Sequence, residues 1–207
     1  MKLYTIFSES HQILFDEFFS KTIPQEFELH TEAFEQVCES GEWYSKGWSA
    51  ACKHKAEFFV KICEENLGES FIFSDVDIQF FGDCKDRLIT ELGNSDIACP
   101  HGDDGYCSGF FICRANERTL NMFRHMLNTF DKRHGDQYML NKCIHMCKSK
   151  ALSPLFYTIG QLSKKIWKPG DPVPIPDKIL MHHANWTIGL DNKIALLKEV
   201  RQLVDSG

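Results

Sequence analysis

The stretch "FIFSDVDIQFF", residues 71–81, decides how this chain of 207 residues is read. It is apolar almost throughout, yet it carries two carboxylates one residue apart, Asp75 and Asp77. In an extended strand, alternate side chains share a face. Phe71, Phe73, Asp75 and Asp77 are therefore expected on one face, and Ile72, Ser74, Val76 and Ile78 on the other. A run apolar on both faces is the pattern of a central strand covered on both sides, as in parallel sheets. Two carboxylates about 5 Å apart repel by roughly 3 kcal/mol at an effective dielectric near 20. A divalent cation is the usual way to offset that repulsion, and the carboxyl edge of an open α/β sheet is where ligands bind.

Strand and helix patterns alternate outward from this run. "KLYTIF" (2–7) reads as a first strand, and "ILFDEFFSKTI" as a helix that Pro24 ends. "EFELHT" (26–31) reads as a second strand and residues 39–47 as a loop. The helix expected over Trp48–Asn66 has an apolar stripe of Trp48, Cys52, Phe59, Ile62 and Cys63. Lys55 falls on that stripe, where a lysine either snorkels to the rim or meets an anion. Beyond the DVD run come a short helix (84–92), a strand in "SDIACP", an acidic loop (101–109) and the strand "FFICR". An amphipathic helix over 116–130, a helix opening at Asp136, an irregular segment (148–180) and a closing helix (192–204) complete the chain. This alternation indicates an α/β fold with a mostly parallel central sheet flanked by helices.

Composition narrows the function. With 43% hydrophobic and 25% charged residues the chain is globular, and a net charge of −6 without a basic run disfavours nucleic acid as a partner. No stretch approaches the ~18 apolar residues of a membrane span. "MKLYTIFSESHQ" lacks the core of a signal peptide, and the nine cysteines form no CxxC pair, so reduced thiols and a cytoplasmic location are expected. Cys99, His101, Cys107 and Cys113 fit no zinc spacing, and neither GxGxxG nor GxxxxGK[ST] occurs.

A second constellation, "HHANWTIGLDNK" (182–193), gathers His182, His183, Asn185, Gly189 and Lys193. One imidazole beside an oxygen-rich aspartate pair suits Mn²⁺ better than Mg²⁺ or Ca²⁺. "HGDDGYCSG" and "GDQYMLN" add Asp103, Asp104 and Asp136, which otherwise read as turn and helix-capping residues.

Four segments in order, "SDVDIQFF", "SGFFICRANERTL", "DQYMLN" and "HANWTIGLDNK", resemble the nucleotide-diphospho-sugar transferases, glycosyltransferases of the GT-A fold. The resemblance is strongest from Lys55 to Lys193, and the compact form also resembles glycosyltransferase domains of chlorella viruses. It implies a single GT-A domain over 1–207, standing alone or as the first domain of a longer protein. It further implies a UDP-sugar donor, by default UDP-glucose with a deoxyhexose as the variant, and a glycan or other hydroxyl acceptor. Asp77 would ligate Mn²⁺, with Mg²⁺ as a substitute, and Asp75 would hold the ribose or assist the metal. His183, in preference to His182, would close the coordination. Val76, Asn185, Gly189, Lys193 and Lys55 would contact the donor, and Phe7, Ser8 and Ser10 would lie by the uracil. Asp136 would be the base of an inverting reaction, with Asp103 and Asp104 holding sugar hydroxyls or substituting for it.

Two other classes compete. A haloacid-dehalogenase-type phosphatase also places DxD after an apolar strand, but wants Thr or Val where this chain has Gln79. A sugar-binding module without turnover would use the same acidic loops.

Overall fold

The computed structural model describes residues 1–38, 45–161 and 165–207, so the loop expected at 39–47 lies mostly outside the described residues. The chain opens with β1 (Lys2–Ser8), a helical segment of mixed turn type over 9–22, β2 (Glu28–Phe34) and α1 (Trp48–Glu65). β3 (Ser70–Ser74), β4 (Ile78–Phe80), α2 (Lys85–Leu92) and β5 (Ile97–Cys99) follow. A two-stranded ribbon, β6 (His101–Gly102) and β7 (Gly105–Tyr106), leads to β8 (Phe110–Arg114), α3 (Glu117–Asn128) and α4 (Asp136–Cys143). The chain ends with β9 (Ser149–Ala151), β10 (Phe156–Thr158), β11 (Met181–His183) and α5 (Leu190–Ser206).

Six strands form the central sheet in the order β2-β1-β3-β8-β5-β9. β8 runs antiparallel to both its neighbours, and the other strands all point one way. The sheet is thus mostly parallel, as expected. Its alternation sorts the core into two layers. Phe71 and Phe73 pack with Phe59, Phe111 and Phe123 beneath α1 and α3. Ile72, on the opposite face, joins Leu14, Phe19 and the α5 residues Leu196 and Val200. All these side chains are essentially inaccessible, so truncating one phenylalanine costs about 3–5 kcal/mol.

Two expectations need correction. The run 71–81 is not one strand: β3 ends at Ser74, and the chain resumes as β4 in a second sheet of order β10-β11-β4. The shared face with Phe71 and Phe73 therefore stops before Asp75. Continuing the pleat would place both carboxylates in an apolar layer; the break instead delivers them to a cavity where cations reach them. The segment 148–180 is not wholly irregular either, since it holds β9 and β10. Each has three residues, too few for an alternating pattern to register.

Candidate functional site

A cavity of about 550 Å³ opens at the carboxyl ends of β1 and β3. Asp75 and Asp77 enter it from the strand break, held by two backbone bonds: Asp75 N–H to Gly109 O (2.7 Å) and Ala184 N–H to Asp77 O (2.9 Å). His183 enters from the end of β11, whose antiparallel register opposes His183 to Ile78, next to Asp77. One ligand atom from each of Asp75, Asp77 and His183 lies within 4.8 Å of the others. Among the described residues this is the one cluster of such side chains able to hold a metal ion.

Register also settles which histidine faces the cavity. His183 Nε2 lies 3.1 Å from Asp77 Oδ1 and its Nδ1 3.4 Å from Cys107 Sγ. His182 points into the core, stacked on Tyr157 and 3.4 Å from Gln79 Nε2. Burial drops its imidazole to about 3, so it stays neutral.

Lysines flank the carboxylates. Lys55 leaves the apolar stripe of α1 to reach Asp75 (2.8 Å) and Asp136 (2.9 Å), which resolves its inward placement in favour of an anion. Lys193, from the first turn of α5, donates to Asp77 and to Ala184 O (3.3 Å). Ser108 Oγ donates to Asp136 at 2.6 Å. Three carboxylates are thus matched by Lys55, Lys193 and His183. Burial pushes Asp77 up, but Lys193 and His183 overcome this and hold it well below the usual carboxylate range. Burial likewise opposes ionisation of Asp136, and Lys55 and Ser108 outweigh it to lower its value. Asp75 is raised, by burial and by the charge of Asp77, despite Lys55. Burial lowers His183, yet Asp77 more than compensates and lifts it to about 10.

These residues fit a bound cation by chemistry and by shape. Two carboxylates with one imidazole are a donor set for a divalent transition metal. A Cβ on Gly109 would strike His183 Cε1 and lie 2.6 Å from Asp75 Oδ2, so glycine keeps the space between the ligands open. Asn185 Oδ1 is buried beside them without a hydrogen-bond partner.

Of the residues named from sequence, Phe7, Ser8, Lys55, Asp75, Val76, Asp77, Asp104, Asp136, His183, Asn185, Gly189 and Lys193 all border this cavity. Two do not. Ser10 lies just behind the wall, its N–H bonded to Gln36 Oε1 at 3.0 Å and its hydroxyl to the lining residues His11 (2.9 Å) and Ser8 (3.5 Å). Asp103 sits exposed on the β6–β7 turn, which directs only Asp104 to the cavity, where it accepts from Gln137. Sequence reasoning missed His11, Gly109, Gln137 and Trp186, which also border the cavity, and Cys107, which backs His183. His11 in "MKLYTIFSESHQ", Cys107 and Gly109 in "HGDDGYCSG", Gln137 next to Asp136 and Trp186 next to Asn185 all lay within quoted segments.

An acidic pair at the carboxyl edge of an α/β sheet, a histidine from a second sheet and flanking lysines together make a cluster that could hold a metal ion beside positive charge. The sequence model of the nucleotide-diphospho-sugar transferases matches residues 15–197, and the chain belongs to that family. The fold is similar to that of the glycosyltransferase GlyE of Streptococcus pneumoniae TIGR4, with a TM-score of 0.57 and 12% identity over 98% of this chain and 64% of that one. The apo form of GlyE gives a TM-score of 0.59 at 12% identity, over 97% and 63%. This chain therefore spans just under two thirds of GlyE. The galactosyltransferase LgtC, solved with donor and acceptor sugar analogues, has a TM-score of 0.54 and 9% identity, over 100% of this chain and 96% of its own. At these identities the likeness is one of fold. No curated protein matches the chain, and the narrower resemblance to chlorella-virus domains has no counterpart among these findings.

Proposed function

We propose that this chain is a metal-dependent glycosyltransferase that moves a hexose or deoxyhexose, by default glucose, from a UDP-sugar to a hydroxyl of a glycan or other acceptor. The observation that carries the reading is the convergence of Asp75, Asp77 and His183 within 4.8 Å in a lysine-flanked cavity. Asp77 and His183 would hold Mn²⁺, with Asp75 as third ligand or ribose contact and Mg²⁺ as the substitute. Bound there, the metal supplies Lewis-acid stabilisation of the departing diphosphate. Lys193 and Lys55 add positive charge on the same side, which a leaving nucleoside diphosphate requires. Phe7, stacked on Phe15 at 4.6 Å, and Ser8 form the wall assigned to the uracil. Ser10 supports this wall through Ser8 and His11, and Asp103 stays exposed on the β6–β7 turn.

Asp136 is ionised, as a base must be, and Lys55 and Ser108 both contact its Oδ2. A cytoplasmic location goes with this reading, supported by nine free cysteines, all but Cys147 buried. No described helix is long and apolar enough to cross a membrane. Family membership leaves no observation favouring the phosphatase.

Thermal unfolding with UDP, GDP or buffer, each with Mn²⁺ or EDTA, tests the donor site. The cluster is close to charge balance, so metal and diphosphate are expected to bind together and each to bind weakly alone. A ligand at 100 times its dissociation constant stabilises by about 2.7 kcal/mol, a shift of roughly 5–10 °C for a chain of this size. A UDP shift that needs Mn²⁺ supports the reading, and no shift with any combination removes it. Donor hydrolysis without acceptor then separates an enzyme from a sugar-binding module.

A further inference from the structure

Among the described residues Trp186 is the one non-glycine with a positive φ, 54°. A bulky side chain in this left-handed region is strained and persists only where its surroundings impose it. Here they do. Trp167 N–H donates to Trp186 O at 2.7 Å, and Thr187 returns a bond to Trp167 O at 3.1 Å, fixing the backbone on both sides. The indole lies on Gly160, where a Cβ would strike Nε1 and sit 2.5 Å from Cδ1. The half-buried ring borders the cavity.

The wall continues past the ring. A Cβ on Gly102 would lie 2.7 Å from Gly160 O and 3.2 Å from Asp104 Oδ1, so indole, Gly160, Gly102 and Asp104 are contiguous. Asp104 is exposed and accepts from Gln137, whereas Asp77 and His183 are buried at 7% and 4% exposure. Whatever reaches the buried triad is bound first and deepest; a second substrate meets the rim. An aromatic face beside a carboxylate and an amide suits a pyranose. Its C–H face lies on the ring, and its hydroxyls donate to the carboxylate.

We propose that Trp186, seated on Gly160, is the platform of the acceptor subsite, with Asp104 receiving acceptor hydroxyls, and that the acceptor is a pyranose-containing glycan. This rests on the transferase reading of the same cavity. Strain carried by a half-buried aromatic residue that packs against the core and also borders the cavity is the observation behind it.

The test is saturation-transfer NMR of methyl β-D-glucopyranoside, methyl β-D-galactopyranoside and methyl β-D-xylopyranoside, with and without UDP and Mn²⁺. At least one is expected to bind saturably. Trp186→Ala and Gly160→Ala should each weaken it about tenfold or more, while Trp186→Phe keeps most of the affinity. The Mn²⁺–UDP thermal shift should survive Trp186→Ala. Unliganded Trp186→Gly should melt no lower than Trp186→Ala, since glycine relieves the positive φ. The proposal is overturned if none of the three glycosides binds a wild-type protein that shows the Mn²⁺–UDP shift, or if Trp186→Ala leaves their affinity unchanged. A wild type that binds a glycoside through Trp186 but shows no nucleotide shift sinks the donor reading alone.

Discussion

At the amino end of β5, Asp96 is buried among donors; at the carboxyl end of β3, half-buried Asp75 and buried Asp77 lie among two lysines and a histidine. The first carboxylate receives Arg118 Nε (2.9 Å) and Nη2 (2.7 Å), Asn116 Nδ2 (2.8 Å) and the Lys148 N–H (2.9 Å). Its oxygens are filled by groups fixed on α3 and the backbone, and hydrogen bonds from Arg118, against the effect of burial, hold it well below the usual range. The second pair borders a cavity and is balanced by side chains that can turn elsewhere. Burial of a carboxylate therefore does not mark a site; acceptor capacity left facing an open space does.

The comparison breaks if Asp77→Asn behaves like an Asp96 variant. It is expected to abolish the Mn²⁺–UDP thermal shift and to lower transfer by about 10³, with the fold retained by circular dichroism. Asp96→Ala should show the reverse: a loss of about 3 kcal/mol, or roughly 6–12 °C in melting temperature, with the Mn²⁺–UDP shift intact. Smaller still, Gly109→Ala should weaken Mn²⁺ binding in the presence of UDP by about 10–100-fold, measured by titration against the paramagnetic signal of free Mn²⁺.

The mildest effect is in pH. Because Asp96 has a depressed folded value, its stabilisation is complete above the unfolded carboxyl value of about 3.9 and is lost as pH falls through the folded one. The gap in unfolding free energy between wild type and Asp96→Ala should stay constant from about pH 7 to 5 and shrink below about pH 4. A gap unchanged down to acid unfolding would show that the contribution is not ionic.

Much of the fold was legible. The strand and helix patterns survive because the two core layers need alternation in β3 and β8 and a 3.6-residue stripe in α1 and α3. Lys55 was legible as a misfit on that stripe, though its partners were not, since Asp75 and Asp136 meet it only in three dimensions. The break after Ser74 was hidden because Val76, Ile78 and Phe80 stay apolar and simply change sheets. The choice between His182 and His183 could not be read from a dipeptide, because it depends on how β11 pairs with β4. Cys107, Gly109 and Trp186 were not singled out, because Cys107 meets His183, and Gly109 and Trp186 meet the cavity, through chain segments distant in sequence.

The pairing of β11 with β4 has a consequence for assembly. Lys193 meets Asp77 across 116 residues, and the histidine arrives on the same late segment. The docking of residues 181–206 is thus a long-range closure, and it carries a large loop-closure entropy. Any ion or nucleotide seated between the two segments would act as a latch on that closure. Occupancy should then be visible as slowed amide exchange in β4, β11 and the first turn of α5, with the distant knot around Asp96 unaffected.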